Sequence, residues 1–218
     1  VRLSLAPLGS YDLGAALAAI IAIVALRAHS LDRSGAVAAF VVGTLTFGAL
    51  GVPGAAVLLA FFVSSVVLSR IGKRAKRERL RDIGKTGARD AAQVLANGGI
   101  AAICAFAAGL DRAHAGLWIA GFCGAFAAAA ADTWGTEIGT LARGEPRSIW
   151  TLRKVPVGIS GGITLPGTLA EIAGAATIAL VATSLPELVA RGATTHLGFA
   201  AFGGGVAGAL VDSLLGGS

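Results

Sequence analysis

The stretch SGAVAAFVVGTLTFGALGVPGAAVLLAFFVSSVVLS, residues 34–69, runs for 36 residues without a charged side chain. An α-helix rises about 1.5 Å per residue and the bilayer hydrocarbon is about 30 Å thick, so this length suffices for two crossings. Gly51-Val52-Pro53-Gly54 divides it, because glycine and proline together mark a tight turn. Two more uncharged runs, 91–110 and 192–211, are 20 residues long each. Over all 218 residues, 55% are hydrophobic and 14% charged. Soluble domains average roughly 45–50% and 25%. A soluble enzyme, a disordered chain and a disulfide-stapled secreted domain are thereby excluded. The expectation is an all-α, polytopic transmembrane bundle, residues 1–218 forming a single integral membrane domain. Its 32 glycines imply thin helices that approach one another closely, since lipid supplies little hydrophobic drive for helix association.

Seven segments are read: 11–26, 34–50, 53–68, 91–110, 113–131, 161–184 and 197–215. Asp111-Arg112 separates the fourth from the fifth. Alternating crossings put the loops 27–33, 70–90 and 141–160 on one side. They carry 2, 9 and 4 of the 18 Lys and Arg residues, leaving Arg2, Arg112 and Arg191 opposite. The positive-inside rule then places the N-terminus outside and the basic loops in the cytoplasm, in the inner (plasma) membrane of a prokaryote. Topology accounts for the +6 formal charge, and no nucleic-acid partner is expected. The basic run 70–89 reads first as a solvated segment meeting anionic headgroups. Cys104 and Cys123 lie mid-segment and read as small buried side chains. His29, His114 and His196 are too scattered for a metal set. The chain has no methionine and stops on Gly-Gly-Ser, so terminal parts of the gene product are expected beyond it.

A charge at mid-helix costs about 2.5–3.5 kcal/mol on insertion scales, which makes the placement of polar residues informative. Asp90, Gln93 and Asn97 share one helix face. Asp132 and Thr136 share another, and Thr133 and Glu137 the face beside it. Asp132 and Glu137 are about 140° apart on an ideal helix, so they meet one ligand only if Gly135 loosens the turn or the ligand is broad. Thr164, Thr168 and Glu171 form a stripe after the glycine-rich Val157–Gly162, and Asp212 and Ser213 close the last segment. All lie toward the basic side. Gln93 and Thr168 alone read as interhelical hydrogen bonders. Carboxylates in a span mark a pathway or a site. Acids, hydroxyls and amides beside Lys/Arg and glycine-rich backbone suit a magnesium-bound polyphosphate. No Walker-type G-x-x-x-x-G-K-[ST] occurs.

Four stretches carry a family resemblance: GARDAAQVLANGG (87–99), ADTWGTEIG (131–139), VPVGISGGITLPGTLAEIAGA (155–175) and VDSLLG (211–216), with LDRSGAVAAFVVG (31–43) fitting the opening. Together the motifs resemble the integral membrane family that includes the phytyl-phosphate kinase of vitamin E and phytol recycling and the transmembrane protein 19 group. Gly135-Thr136 stand where Ala-Ser is common, and Ile159-Ser160 where Thr-Asn is common. The resemblance implies phosphoryl transfer from a nucleoside triphosphate, CTP or ATP, to a prenyl monophosphate such as phytyl phosphate. It assigns Mg²⁺ to Asp132, Glu137 and Asp212, with Asp90 as a further acid. Asn97 and Thr133 would bond phosphate or metal-bound water. Arg153, Lys154, Gly158, Ser160, Gly161 and Gly162 would hold polyphosphate, with Thr164 and Ser213 beside them.

The geometric expectation is that Asp90, Asn97, Asp132, Glu137 and Asp212 converge on one cavity. Gly158–Gly162 should roof it and Arg153 or Lys154 should border it. Expected partners are the lipid bilayer, the prenyl phosphate, the nucleotide and a second copy in a homodimer. Three rival readings are a CTP-dependent lipid-phosphate cytidylyltransferase, an ion-coupled transporter and a scaffold with no chemistry, the last of which leaves the gathering of costly acids on one side unexplained.

Overall fold

The computed structural model describes residues 8–79, 87–192 and 196–217. Arg2, Arg81 and Lys85 of the charge analysis, and the start of the 192–211 run beyond Gly192, lie outside them. The helices are α1 (Leu8–Arg27), α2 (Arg33–Arg70), α3 (Lys73–Arg79), α4 (Ala91–Leu110), α5 (Ala115–Gly139), α6 (Leu165–Thr183), α7 (Pro186–Gly192) and α8 (Leu197–Gly216). A short 3₁₀ turn, Arg112–His114, leads into α5. Two-residue strands β1 (Arg147–Ser148) and β2 (Gly162–Ile163) pair antiparallel between α5 and α6. Among the described residues, five helical stretches are long and apolar enough to cross a membrane: α2, α4, α5 with its leading turn, α6 and α8.

Helix α2 is a hairpin. Gly51 has φ 67° and ψ −152°, a left-handed conformation that costs glycine little, and Pro53 follows. The two ends of α2 return to one place, where the Arg70 guanidinium donates to the Ala28 carbonyl at 3.2 Å and to Ser30 Oγ at 3.1 Å. Among the described residues, seven rods therefore run between two ends: α1, the halves of α2, α4, α5, α6 and α8. The basic end gathers the start and finish of α2, α3, the start of α4 and the finish of α5. There Arg79 donates to the Thr140 carbonyl at 3.2 Å, and a parallel bridge joins Leu31 to Arg89. At the other end, Arg191 donates to the Ala49 carbonyl at 3.2 Å, and the Trp118 indole N–H and His114 meet Asp111. The described residues of the three basic loops thus share one end, and Arg112 and Arg191 lie at the other.

Helix α5 runs through the middle, packed by α6, α8, α4 and α2. Its Ile119, Phe122, Cys123 and Phe126 are buried, with Phe126 5.2 Å from Phe122 edge-on and 5.5 Å from Phe61. Gly174 of α6 lies on the α5 backbone, where a Cβ would sit 2.8 Å from the Ala130 carbonyl oxygen. Close approach of this kind replaces the hydrophobic drive that lipid cannot supply. Two boundaries differ from the sequence reading. Helix α5 continues past Ala131 to Gly139, so ADTWGTEIG is helical throughout, and α6 starts at Leu165, after an extended approach at 162–164.

Candidate active site at the basic end of the bundle

A cavity of ≈ 240 Å³ opens at the basic end between α5, α6 and α8. From α5 and its C-cap come Asp132, Gly135, Thr136, Gly139 and Thr140; from α6, Gly167, Thr168 and Glu171; from α8, Asp212 and Ser213. Pro146 and residues 157–164 form the remaining wall. Helical spacing explains the set: Asp132, Thr136 and Gly139 repeat along one face of α5, and Thr164, Thr168 and Glu171 along one face of α6.

The loop wall is built rather than loose. Trp150 Nε1 donates to the Leu214 carbonyl at 2.9 Å, tying the loop to α8, and Ile149 N donates to the Gly161 carbonyl at 2.9 Å. Gly161 has φ 75°, and a Cβ there would lie 2.8 Å from Gly217 N, so both backbone conformation and space demand glycine. Thr164 caps α6, its Oγ1 accepting from Gly167 N at 3.1 Å. The α6 N-terminus, with its partial positive charge, therefore faces the cavity.

Three carboxylates face the same space. Asp212 and Asp132 are close enough to repel each other, and Glu171 feels Asp132. Glu171, left without a role by sequence reasoning, stands against Gly135, where a Cβ would sit 2.7 Å from its Oε1. Among the described residues lining the cavity there is no lysine or arginine. The donors are all oxygen, the type Mg²⁺ takes, and two carboxylates are enough when phosphates and waters complete the shell. Among the described residues, no three His, Cys, Asp or Glu side chains are arranged as a cage.

Glu137 does not join this cavity, which corrects its expected pairing with Asp132. Gly135 leaves α5 regular, so Glu137 emerges on a different face. There its Oε2 accepts from Lys76 Nζ at 2.5 Å and its Oε1 from Ser69 Oγ at 2.6 Å. Lys76 is buried and also donates to the Leu68 carbonyl at 2.8 Å. Arg89 completes the cluster, donating to Ser69 Oγ at 3.1 Å. Burial lowers the Arg89 pKa and the charge of Glu137 works against that shift. Nothing in the sequence distinguishes Lys76 from the other cations of its run, so this cluster was missed.

The remaining expectations divide. Gly158, Ser160, Gly161, Gly162, Thr164 and Ser213 line the cavity with Asp132 and Asp212. Asp90 and Asn97 do not: Asp90 is the N-cap of α4, accepting from Gln93 N at 3.0 Å, and Asn97 lies two turns along that helix. Thr133 is also outside the lining, on the neighbouring face of α5. Arg153 and Lys154 sit exposed on the outer side of the loop, Lys154 paired with Glu145 at 3.1 Å, so they do not border the cavity.

The architecture is that of an integral membrane protein with a polar, acid-lined site at one end of a helical bundle. The chain belongs to the family described as integral membrane protein DUF92, whose model matches residues 16–218. This agrees with the resemblance carried by the motifs. Protein PGR of Arabidopsis thaliana is 33% identical over 219 residues, covering 92% of this chain and 75% of that protein. An uncharacterized membrane protein of Methanocaldococcus jannaschii is 32% identical over 202 residues, covering 90% and 78%. Protein VTE6, chloroplastic, of Arabidopsis thaliana is 29% identical over 166 residues, covering 75% of this chain and 50% of that protein. No solved structure matches.

Proposed function

We propose that the protein is a membrane-embedded kinase that transfers a phosphoryl group from a nucleoside triphosphate, CTP or ATP, to a prenyl monophosphate such as phytyl phosphate. The basic end faces the cytoplasm in this reading, and the N-terminus lies outside. One observation carries it: Asp132 and Asp212 face a glycine-walled cavity at one end of the helical bundle, with a helix N-terminus pointing in.

The residues divide the work. The glycines of 158–162 present main chain instead of side chains, which lets a polyphosphate come close. The α6 N-terminus favours negative charge beside it. Ser160, Thr164 and Ser213 offer hydroxyls for orientation. Asp132 and Asp212 would hold Mg²⁺, which when bound offsets the charge on the transferring phosphoryl group. An alkyl phosphate is already an anionic nucleophile at neutral pH, so the site needs positioning more than a general base. With three acids and no lining cation, the cavity repels a bare phosphate and accepts one that arrives with its counter-ions.

The test is to incubate purified protein in detergent with magnesium, labelled CTP or ATP and a panel of prenyl monophosphates. Nucleoside diphosphate with prenyl diphosphate is the expected product pair. Pyrophosphate with a CDP-lipid identifies a cytidylyltransferase instead. Absence of turnover, together with ion flux in proteoliposomes, identifies a transporter.

A further inference from the structure

We propose that the hairpin loop between α5 and α6 is a membrane-interface anchor, its Trp150–Leu152 tip seated in the headgroup layer of an anionic bilayer. Trp150 is 58% exposed and Leu152 61%, although both lie in a loop rather than on the face of a spanning helix. Leu152 also has φ 56°, a left-handed conformation uncommon for any residue with a Cβ. A leucine that is both conformationally disfavoured and bare to water is unfavourable twice over. Contact with lipid removes the second cost.

Three further observations single out a bilayer as the occupant. The tip has its backbone donors satisfied internally: Trp150 N and Thr151 N donate to Ser148 Oγ at 3.3 Å each, and Leu152 N to the Ser148 carbonyl at 2.8 Å. Such a tip can lose water without stranding amide groups. Its flanks are cationic, with Lys154 matched by Glu145 and Arg147 and Arg153 carrying surplus positive charge, which complements anionic headgroups. The surface is also continuous with the spans. Trp150 is tied to the end of α8 beside Leu215, which is 70% exposed, and β2 leads directly into α6 at Leu165, 74% exposed. An amphipathic indole at the junction of an apolar span and a basic loop is where membrane proteins place tryptophan.

The inference stands whatever reaction the cavity performs. It is tested in protein whose Trp118 and Trp134 are replaced by phenylalanine, reconstituted into phosphatidylcholine–phosphatidylglycerol vesicles. Trp150 should then emit at short wavelength and be quenched more by lipids brominated near the headgroup than by lipids brominated deep in the chain. It should also resist aqueous acrylamide. A second variant, Thr151→Cys carrying a nitroxide, keeps all three tryptophans and should show interfacial accessibility to oxygen and to a water-soluble nickel complex. Emission as in water with full acrylamide quenching, or a nitroxide wholly open to the nickel complex, overturns the proposal. So does shielding that appears only at high protein-to-lipid ratio, which marks a contact between copies.

Discussion

Asp132 and Glu137 belong to one helix and one motif, yet the surroundings of each predict opposite behaviour on neutralisation. Asp132 and Asp212 repel each other across the cavity, so Asp132→Asn and Asp212→Asn should leave the unfolding temperature unchanged or raised. Under the proposed mechanism each should lower turnover about a hundredfold or more, through lost stabilisation of several kcal/mol. Steady-state kinetics beside thermal unfolding in detergent separates the two effects. Glu137→Gln strands Lys76, whose side chain is 8% exposed, and Lys76→Met strands Glu137 at 21%. Breaking a buried pair from one side costs about 3–5 kcal/mol, less where one partner keeps some water. The double variant should recover much of that loss in a double-mutant cycle, and equal instability in all three would remove the ion pair as the cause. Asp132, Asp212 and Thr164 were legible because short motifs and helical spacing put oxygen donors on inward faces. The fate of Glu137 was not, since it depends on one lysine among many that only the folded chain brings near.

At the level of elements, two aspartates start helices side by side. Asp32 accepts from Gly35 N at 2.7 Å at the head of α2, and Asp90 accepts from Gln93 N at the head of α4. The Gly35 amide and the Ser34 hydroxyl hold the Asp32 carboxyl below the usual carboxylate range. A folded-state pKa below the unfolded one gives stability that is present above the unfolded value and lost as pH falls through the folded one. Asn caps as well as Asp but does not titrate. The margin of the parent chain over Asp32→Asn should therefore shrink as pH drops below the ordinary carboxylate range, read by unfolding at several pH values. A constant margin would show that the charge contributes nothing. Asp90→Ala removes the α4 cap and should cost about 1 kcal/mol or more of stability, read by thermal unfolding in detergent. The extension of α5 to Gly139 was hidden because the apolar run ends at Ala131, while its backbone hydrogen bonds continue.

Across the whole molecule, the rods and the gathering of the basic loops at one end were readable from uncharged runs and cation placement alone, because a bilayer admits few alternatives. The two-residue strands and α7 were not, being too short to leave a periodic signal. Under the proposed orientation, Arg74→Cys should react with an impermeant thiol reagent only from the cytoplasmic side, and Arg112→Cys only from outside. Cys104 and Cys123 are buried and give little background. Labelling of Arg74→Cys and Arg112→Cys from one side would overturn the bundle's alternation. The hairpin of α2 also constrains how the chain is made. Its halves are joined through Gly51 and Pro53 with no polar linker between them, and cations flank both outer ends. While ribosomal synthesis proceeds, the first half has nothing hydrophilic behind it to halt its transfer, and the second has no outer loop to translocate. Under the proposed orientation the two halves leave the insertion machinery for lipid as a single unit, so a lysine placed at Val52 would be carried across the membrane during biosynthesis even though it lies far from every residue of the cavity.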